Sequence, residues 1–151
     1  MPTFQSLYED NREPLRLSWI AGQSAAEKPL DTPSTAGLAS ADLVGHLNLI
    51  HPNRLHVLGE AEVRYYSQME PSRRLHYASE LIAGKPLGIV IGEGLTPPPE
   101  LIDTAERAGL PALASPQSAA EIIEVLRIYF AKVLAAHCTI CLLYTSDAAD
   151  E

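Results

Sequence analysis

Cysteine is scarce in this chain. It has two, Cys138 and Cys141, close together near the end of 151 residues. Such a pair does not make a disulfide framework. Long apolar runs are missing as well, so no segment reads as a bilayer span. Met1 to Asn11 has no basic cluster followed by an apolar run and does not read as a secretory signal. The expected location is therefore the cytoplasm. Positive charge is also in short supply: 11 Lys and Arg stand against 19 Asp and Glu, a net charge of -8. A surface of that sign has no electrostatic footprint for phosphate backbones, so neither nucleic acid nor an anionic membrane is an expected partner.

What is present is ordinary for a globular chain, with 46% hydrophobic and 20% charged residues. A chain of this length suffices for one domain, burying roughly 70% of its unfolded surface. Phe4, Leu7 and Tyr8 recur at helical spacing and predict a helix over 4–13. Leu15, Leu17 and Trp19 alternate with Arg16 and Ser18, the period of a half-buried strand. Residues 22–37, rich in Pro, Ser, Thr and Ala, predict a loop. Asp42 to Ile50 is ambiguous: its leucines alternate, but Gly45 and Asn48 weaken a strand.

From Leu55 onward the pattern is regular. Strands are expected at 55–58, 87–91 and 111–114. Helices are expected at 60–69, at 71–83 with Gly84 as a stop, from Pro97-Pro98-Pro99 to Gly109, and at 119–136. Ser118 and Glu121 have the spacing of a capping box. Short apolar strands alternating with amphipathic helices imply crossover units. The expected fold is α/β, a small, mostly parallel or mixed sheet flanked by helices on both faces.

Two blocks carry a family resemblance. One is GHLNLIHPNRLHVLGEAE, Gly45 to Glu62, and the other is PPELIDTAERAGLPALASPQSAAEIIEVLRIYFAKVLA, Pro98 to Ala135. The opening LYEDNREPLRLSWIAG supports them. Together they resemble the N-terminal domain of bacterial HPr kinase/phosphorylase. The resemblance implies an α/β unit similar to the N-terminal domain of Mur ligases, joined in the family to a P-loop kinase domain. It also implies a homohexamer that phosphorylates a serine of the phosphocarrier HPr and removes that phosphate by phosphorolysis, in regulation of the sugar phosphotransferase system. ATP and magnesium would be bound by that other domain, with no cofactor in this chain. A P-loop needs G-x-x-x-x-G-K-[ST], because backbone amides cradle the phosphates and the lysine and hydroxyl complete the site. The one Gly-Lys pair here, Gly84-Lys85, is followed by Pro86. The expectation is thus a non-catalytic regulatory and assembly domain over 1–136, inactive alone and cut before the kinase domain. Residues 137–151 would be the end of a linker plus a tail that looks adapter-derived, or else a divergent natural tail.

Candidate site residues are few. His46, His51 and His56 recur every five residues, with Asn48, Asn53 and Arg54 between them. His46, Asn48, His51, Asn53 and Arg54 could form a small-anion or effector site, since histidine switches charge near neutral pH and arginine holds anions. They could equally be a turn held by Asn and Pro, because a spacing of five matches neither a helix nor a strand face. The anion site is the basis of the rival reading, a stand-alone sensing module. Gly92-Glu93-Gly94 lies where parallel sheets bind ligands, but it lacks a third glycine, and the prolines after it remove phosphate-binding amides; it reads as a plain loop. His137, Cys138 and Cys141 are too few and too adjacent for a metal site. Glu60 and Glu62 read as acidic residues at a helix start. Glu9, Asp10 and Glu13 read as a solvated face, and Arg73 and Arg74 as exposed helix arginines.

Overall fold

The first helix begins at a cap built from small side chains. Thr3 Oγ1 accepts the Ser6 amide at 3.2 Å, and Ser6 Oγ accepts the Thr3 amide at 2.8 Å. These reciprocal bonds use up donors that a helix start leaves unpaired. In the computed structural model, which describes residues 3–30, 44–46, 55–83 and 86–137, helix α1 spans Phe4–Leu15. It runs two residues past the expected end and takes Leu15 from the expected strand. The reason is the stripe Phe4, Leu7, Asn11 and Leu15, all buried, which keeps helical spacing through Leu15. Arg16 then turns left-handed at φ 51, and the Arg16 and Leu17 amides both close on the Arg12 carbonyl. Only after that turn does strand β1, Ser18–Ala21, begin.

Downstream, β2 is Val44–His46, β3 is Leu55–Leu58 and β4 is Gly88–Ile91, while β5 is Ala112–Ala114. Helices α2 (Glu60–Ser67), α3 (Pro71–Ala83), α4 (Pro99–Ala108) and α5 (Ala119–His137) alternate with them as expected. The ambiguous stretch around Gly45 holds a three-residue strand, parallel to β3. Within the expected loop, Gln23–Ala25 forms one turn of 3-10 helix. The expected helix stop at Gly84 and the tail from Cys138 lie outside the described residues.

The sheet has five strands in the order β1-β5-β4-β3-β2. Strands β2 to β5 are parallel, and β1 is antiparallel on the β5 edge. Alternation sends Leu55, Val57, Val90 and Leu113 to one face, against Phe4 and Leu7 of α1 and Ile122, Leu126 and Phe130 of α5. It sends Leu58, Ile89, Ile91 and Ala112 to the other, against Tyr66, Ala78, Leu81, Leu101 and Ala105 of α2, α3 and α4. Both faces are covered, which is why the parallel strands read as continuous apolar runs. Among the described residues no helix is long and apolar enough to cross a membrane.

Candidate functional site

The two-faced packing creates a particular place. Strand β4 leads to α4 on one face, while its neighbour β5 leads to α5 on the other. Open α/β sheets hold ligands in the crevice where consecutive connections diverge in this way, beyond the carboxyl ends of the strands. The loop at that point is Gly92-Glu93-Gly94. Two helix starts face it, and each presents backbone amides that lack a partner within the helix.

Glu93 fills the crevice. Its Oε1 accepts the Glu60 amide of α2 at 2.8 Å, and its Oε2 accepts the Ala119 amide of α5 at 3.3 Å. To reach both, the residue adopts φ 61, a left-handed conformation that costs an ordinary residue roughly 1–2 kcal/mol. Neighbouring bonds hold it there. The Glu93 amide donates to Gln117 O at 2.7 Å, that of Gly94 to Ser115 O at 3.1 Å, and that of Gly92 to Leu58 O at 2.9 Å. Gly59 leaves the room: a Cβ on it would lie 3.1 Å from Glu93 Oε2 and 3.2 Å from the Ala119 Cβ. Where such a sheet would seat a phosphate on helix N-termini, this chain seats its own carboxylate. The plain-loop reading of Gly92-Glu93-Gly94 missed this. The capping expected of Ser118 is present, since its Oγ accepts the Glu121 amide at 3.2 Å.

Beside the plug, α2, α3 and α4 enclose a pocket of about 320 Å³ lined by Leu58, Ala61, Glu62, Tyr65, Tyr66, Tyr77 and Leu101. The Tyr66 and Tyr77 rings lie 5.9 Å apart at 67°, edge to face. Tyr66 is buried and its hydroxyl donates to the Arg74 carbonyl at 3.0 Å. Burial, then the charge of Glu100, pushes the Tyr66 hydroxyl up to about 12, against a smaller opposing pull from Arg74. Tyr77 is also raised, first by burial and then by Tyr65 and Glu62 beside it. Arg74, expected as an exposed helix arginine, is mostly covered. It pairs with Glu100 at 3.0 Å and donates to the Met69 carbonyl at 2.7 Å, tying α3 to α4. Asp10 stays exposed, as expected, and from there accepts the Tyr129 hydroxyl at 3.1 Å.

The histidine and arginine cluster fares differently. His46 closes β2, its backbone in register with Val57, while His56 sits in β3 opposite Gly45 and is buried. Asn48, His51, Asn53 and Arg54 lie outside the described residues. Among the described residues, no group of three or more His, Cys, Asp or Glu comes together as a metal site would require.

The family model described as HPr Serine kinase N terminus matches residues 3–130. The chain belongs to that family. The HPr kinase/phosphorylase of Bordetella pertussis is 45% identical over 140 residues, which cover 93% of this chain and 44% of that protein. The HPr kinase/phosphorylase of Paraburkholderia xenovorans is 43% identical over 137 residues, 90% of this chain and 42% of the relative. The family domain therefore spans less than half the length of these relatives. Among solved structures, the CBS and DRTGG domains of the regulatory region of Clostridium perfringens pyrophosphatase, complexed with diadenosine tetraphosphate, align with a TM-score of 0.41 and 15% identity. That alignment covers 76% of this chain and 44% of the other, and at that score it carries no weight.

Proposed function

We propose that this domain is the non-catalytic regulatory and assembly part of an HPr kinase/phosphorylase. In this reading the chemistry belongs to a separate P-loop domain that binds ATP and magnesium. That domain transfers phosphate to a serine of HPr and removes it by phosphorolysis, within control of the phosphotransferase system in the cytoplasm. The present domain packs against that kinase domain and against sister subunits of a homohexamer. The observation that carries the proposal is the plug. The crevice beyond β4 and β5, where such a sheet would be expected to seat a phosphate, is held by the Glu93 carboxylate, and a second anion there would be repelled. The sequence also has no G-x-x-x-x-G-K-[ST] segment, so the residues present do not suit a nucleoside triphosphate with magnesium.

Incubating the purified chain with HPr, ATP and magnesium is expected to give no phosphoserine, and titration with ATP or inorganic phosphate no saturable heat. Phosphoserine formation, or saturable nucleotide binding, overturns the reading. The positive half is tested in the Bordetella pertussis relative by deleting the segment that matches residues 3–130. Retained phosphotransfer with altered assembly mass or altered effector response supports the assignment. Loss of the transfer step in a folded remainder refutes it.

A further inference from the structure

Helix α5 has an outer face that its own fold does not use. The helix buries Ile122, Ile123, Leu126, Tyr129 and Phe130 in the core. Ile128 lies on the opposite side and is 63% exposed. A single exposed isoleucine needs no explanation, but the residues around this one are ordered. With about 3.6 residues per turn, Glu124, Ile128 and Lys132 follow one another a turn apart along the helix. Val125 and Ala131, placed evenly before and after Ile128, flank it. Glu124, Ala131 and Lys132 are exposed and Val125 is half-buried. The face is therefore acidic toward the start of the helix, apolar in the middle and basic toward its end. Among the described residues, neither Glu124 nor Lys132 pairs with an opposite charge. Beside this ridge a groove of about 500 Å³ runs between α5 and α1, lined by Val125, Ile128 and Val133 and by Asn11 of α1. It offers room for an aliphatic side chain from outside.

We infer that this face pairs with the same face of a second copy of the chain, the two α5 helices running antiparallel about a two-fold axis at Ile128. An isologous contact must be complementary to itself. The order of residues here meets that demand. Ile128 meets its own copy, Ala131 meets Val125, and Lys132 meets Glu124, because each pair is evenly spaced about Ile128. The aliphatic side chains form the centre of the contact, and the two-fold gives an ion pair at each end. A parallel arrangement would instead set glutamate against glutamate and lysine against lysine, like charges that cost affinity. The order of charges thus selects the antiparallel orientation, as flanking charges do in paired helices. One helix face with a polar rim makes a small interface, so the dimer is a weak one. The inference deepens the assembly role proposed above and rests on that reading for its use in the full-length protein. Self-association of this chain alone tests the surface, whereas phosphotransfer in the Bordetella pertussis relative tests the role, so the two can fail separately.

The test is sedimentation velocity on the full chain, from dilute to near-millimolar concentration. Wild type is expected to move from monomer toward dimer mass as concentration rises. Ile128→Asp is expected to stay monomeric while keeping the wild-type melt at dilution, since the site is exposed in the monomer. Glu124→Lys and Lys132→Glu are each expected to weaken the dimer about tenfold, because the two-fold repeats every change at two contacts. The double variant, which exchanges the two charges, is expected to recover wild-type association. Non-specific stickiness would not produce that rescue. A wild type that stays monomeric throughout, an Ile128→Asp variant that still dimerises, or a double variant no better than the singles would each overturn the inference.

Discussion

Replacing Glu93 by alanine removes the acceptor from two helix starts at once, and the structure lets the cost be worked out in parts. Losing a side-chain acceptor at a helix N-terminus typically costs about 1 kcal/mol. The amides of Glu60 and Ala119 lie at the margin of the sheet, where water recovers part of that loss, so the two together come to about 1–2 kcal/mol. Alanine at φ 61 keeps the left-handed strain of the glutamate. Glycine does not, and regains about 1 kcal/mol. Glutamine keeps one carbonyl oxygen and loses the charge that opposes the helix dipoles, about 0.5–1 kcal/mol. The expected order of stability is wild type first, then Glu93→Gln and Glu93→Gly close together, then Glu93→Ala. Urea unfolding followed by far-ultraviolet circular dichroism reads this directly. With a slope of about 2 kcal/mol/M, the alanine variant should unfold about 0.5–1 M earlier than wild type. The inversion of glycine above alanine is the discriminating result, because glycine loses more conformational freedom on folding and is ordinarily the worse residue. An alanine variant as stable as wild type, or a glycine variant below it, would refute the plug.

Other expectations use the same unfolding assay. Phe130 is fully buried against the α1 face and Ile128, two residues away on α5, is 63% exposed, so Phe130→Ala should cost about 3–5 kcal/mol and Ile128→Ala under about 0.5 kcal/mol. A Cβ on Gly88 would lie 2.5 Å from the Phe4 ring and 3.0 Å from the Pro111 carbonyl oxygen, and Phe4 has no room to retreat, so Gly88→Ala should cost about 1–3 kcal/mol through overpacking. Burial first, and then Glu100 for Tyr66 and Asp10 for Tyr129, pushes these two hydroxyls from 10 to about 12. Protons are therefore held more tightly in the folded state; this stability is complete below pH 10 and is lost as pH rises through 12. Urea midpoints should fall across that window, and fall less in a Tyr66→Phe, Tyr129→Phe double variant; an equal fall in both proteins would remove these residues from the explanation.

Periodicity made much of this architecture legible and contacts between distant residues made the rest opaque. Strand β4 is an apolar run with glycine at each end, β3 is apolar but for His56 and stops at Gly59, and α4 carries both its proline start and its Gly109 stop in the sequence, so local chemistry was enough. At Leu15 two periods overlapped. The alternation Leu15, Leu17, Trp19 suggested a strand, but the helical stripe from Phe4 captured Leu15 because burying it on α1 completes the face that packs on the sheet. The role of Glu93 had no local signal, since its partners are 33 and 26 residues away. Arg74 was misread for the same reason, its partner Glu100 being 26 residues distant. The tyrosine pocket needed the corner between α2 and α3 to bring Tyr77 onto Tyr66, and no spacing within either helix encodes that corner.

The sign of charge explains what this end of the sheet holds. A parallel sheet concentrates positive partial charge where its helices begin, and many folds use that surplus to hold phosphates. Here Glu93 neutralises part of it internally by accepting the Glu60 and Ala119 amides. With 19 acidic residues against 11 basic ones, long-range steering favours cations as well. Converting this end of the domain to phosphate binding would take more than one substitution. Removing Glu93 frees two amides, but Glu62 remains nearby and Pro98 and Pro99 leave the start of α4 without two of the donors a cradle would use.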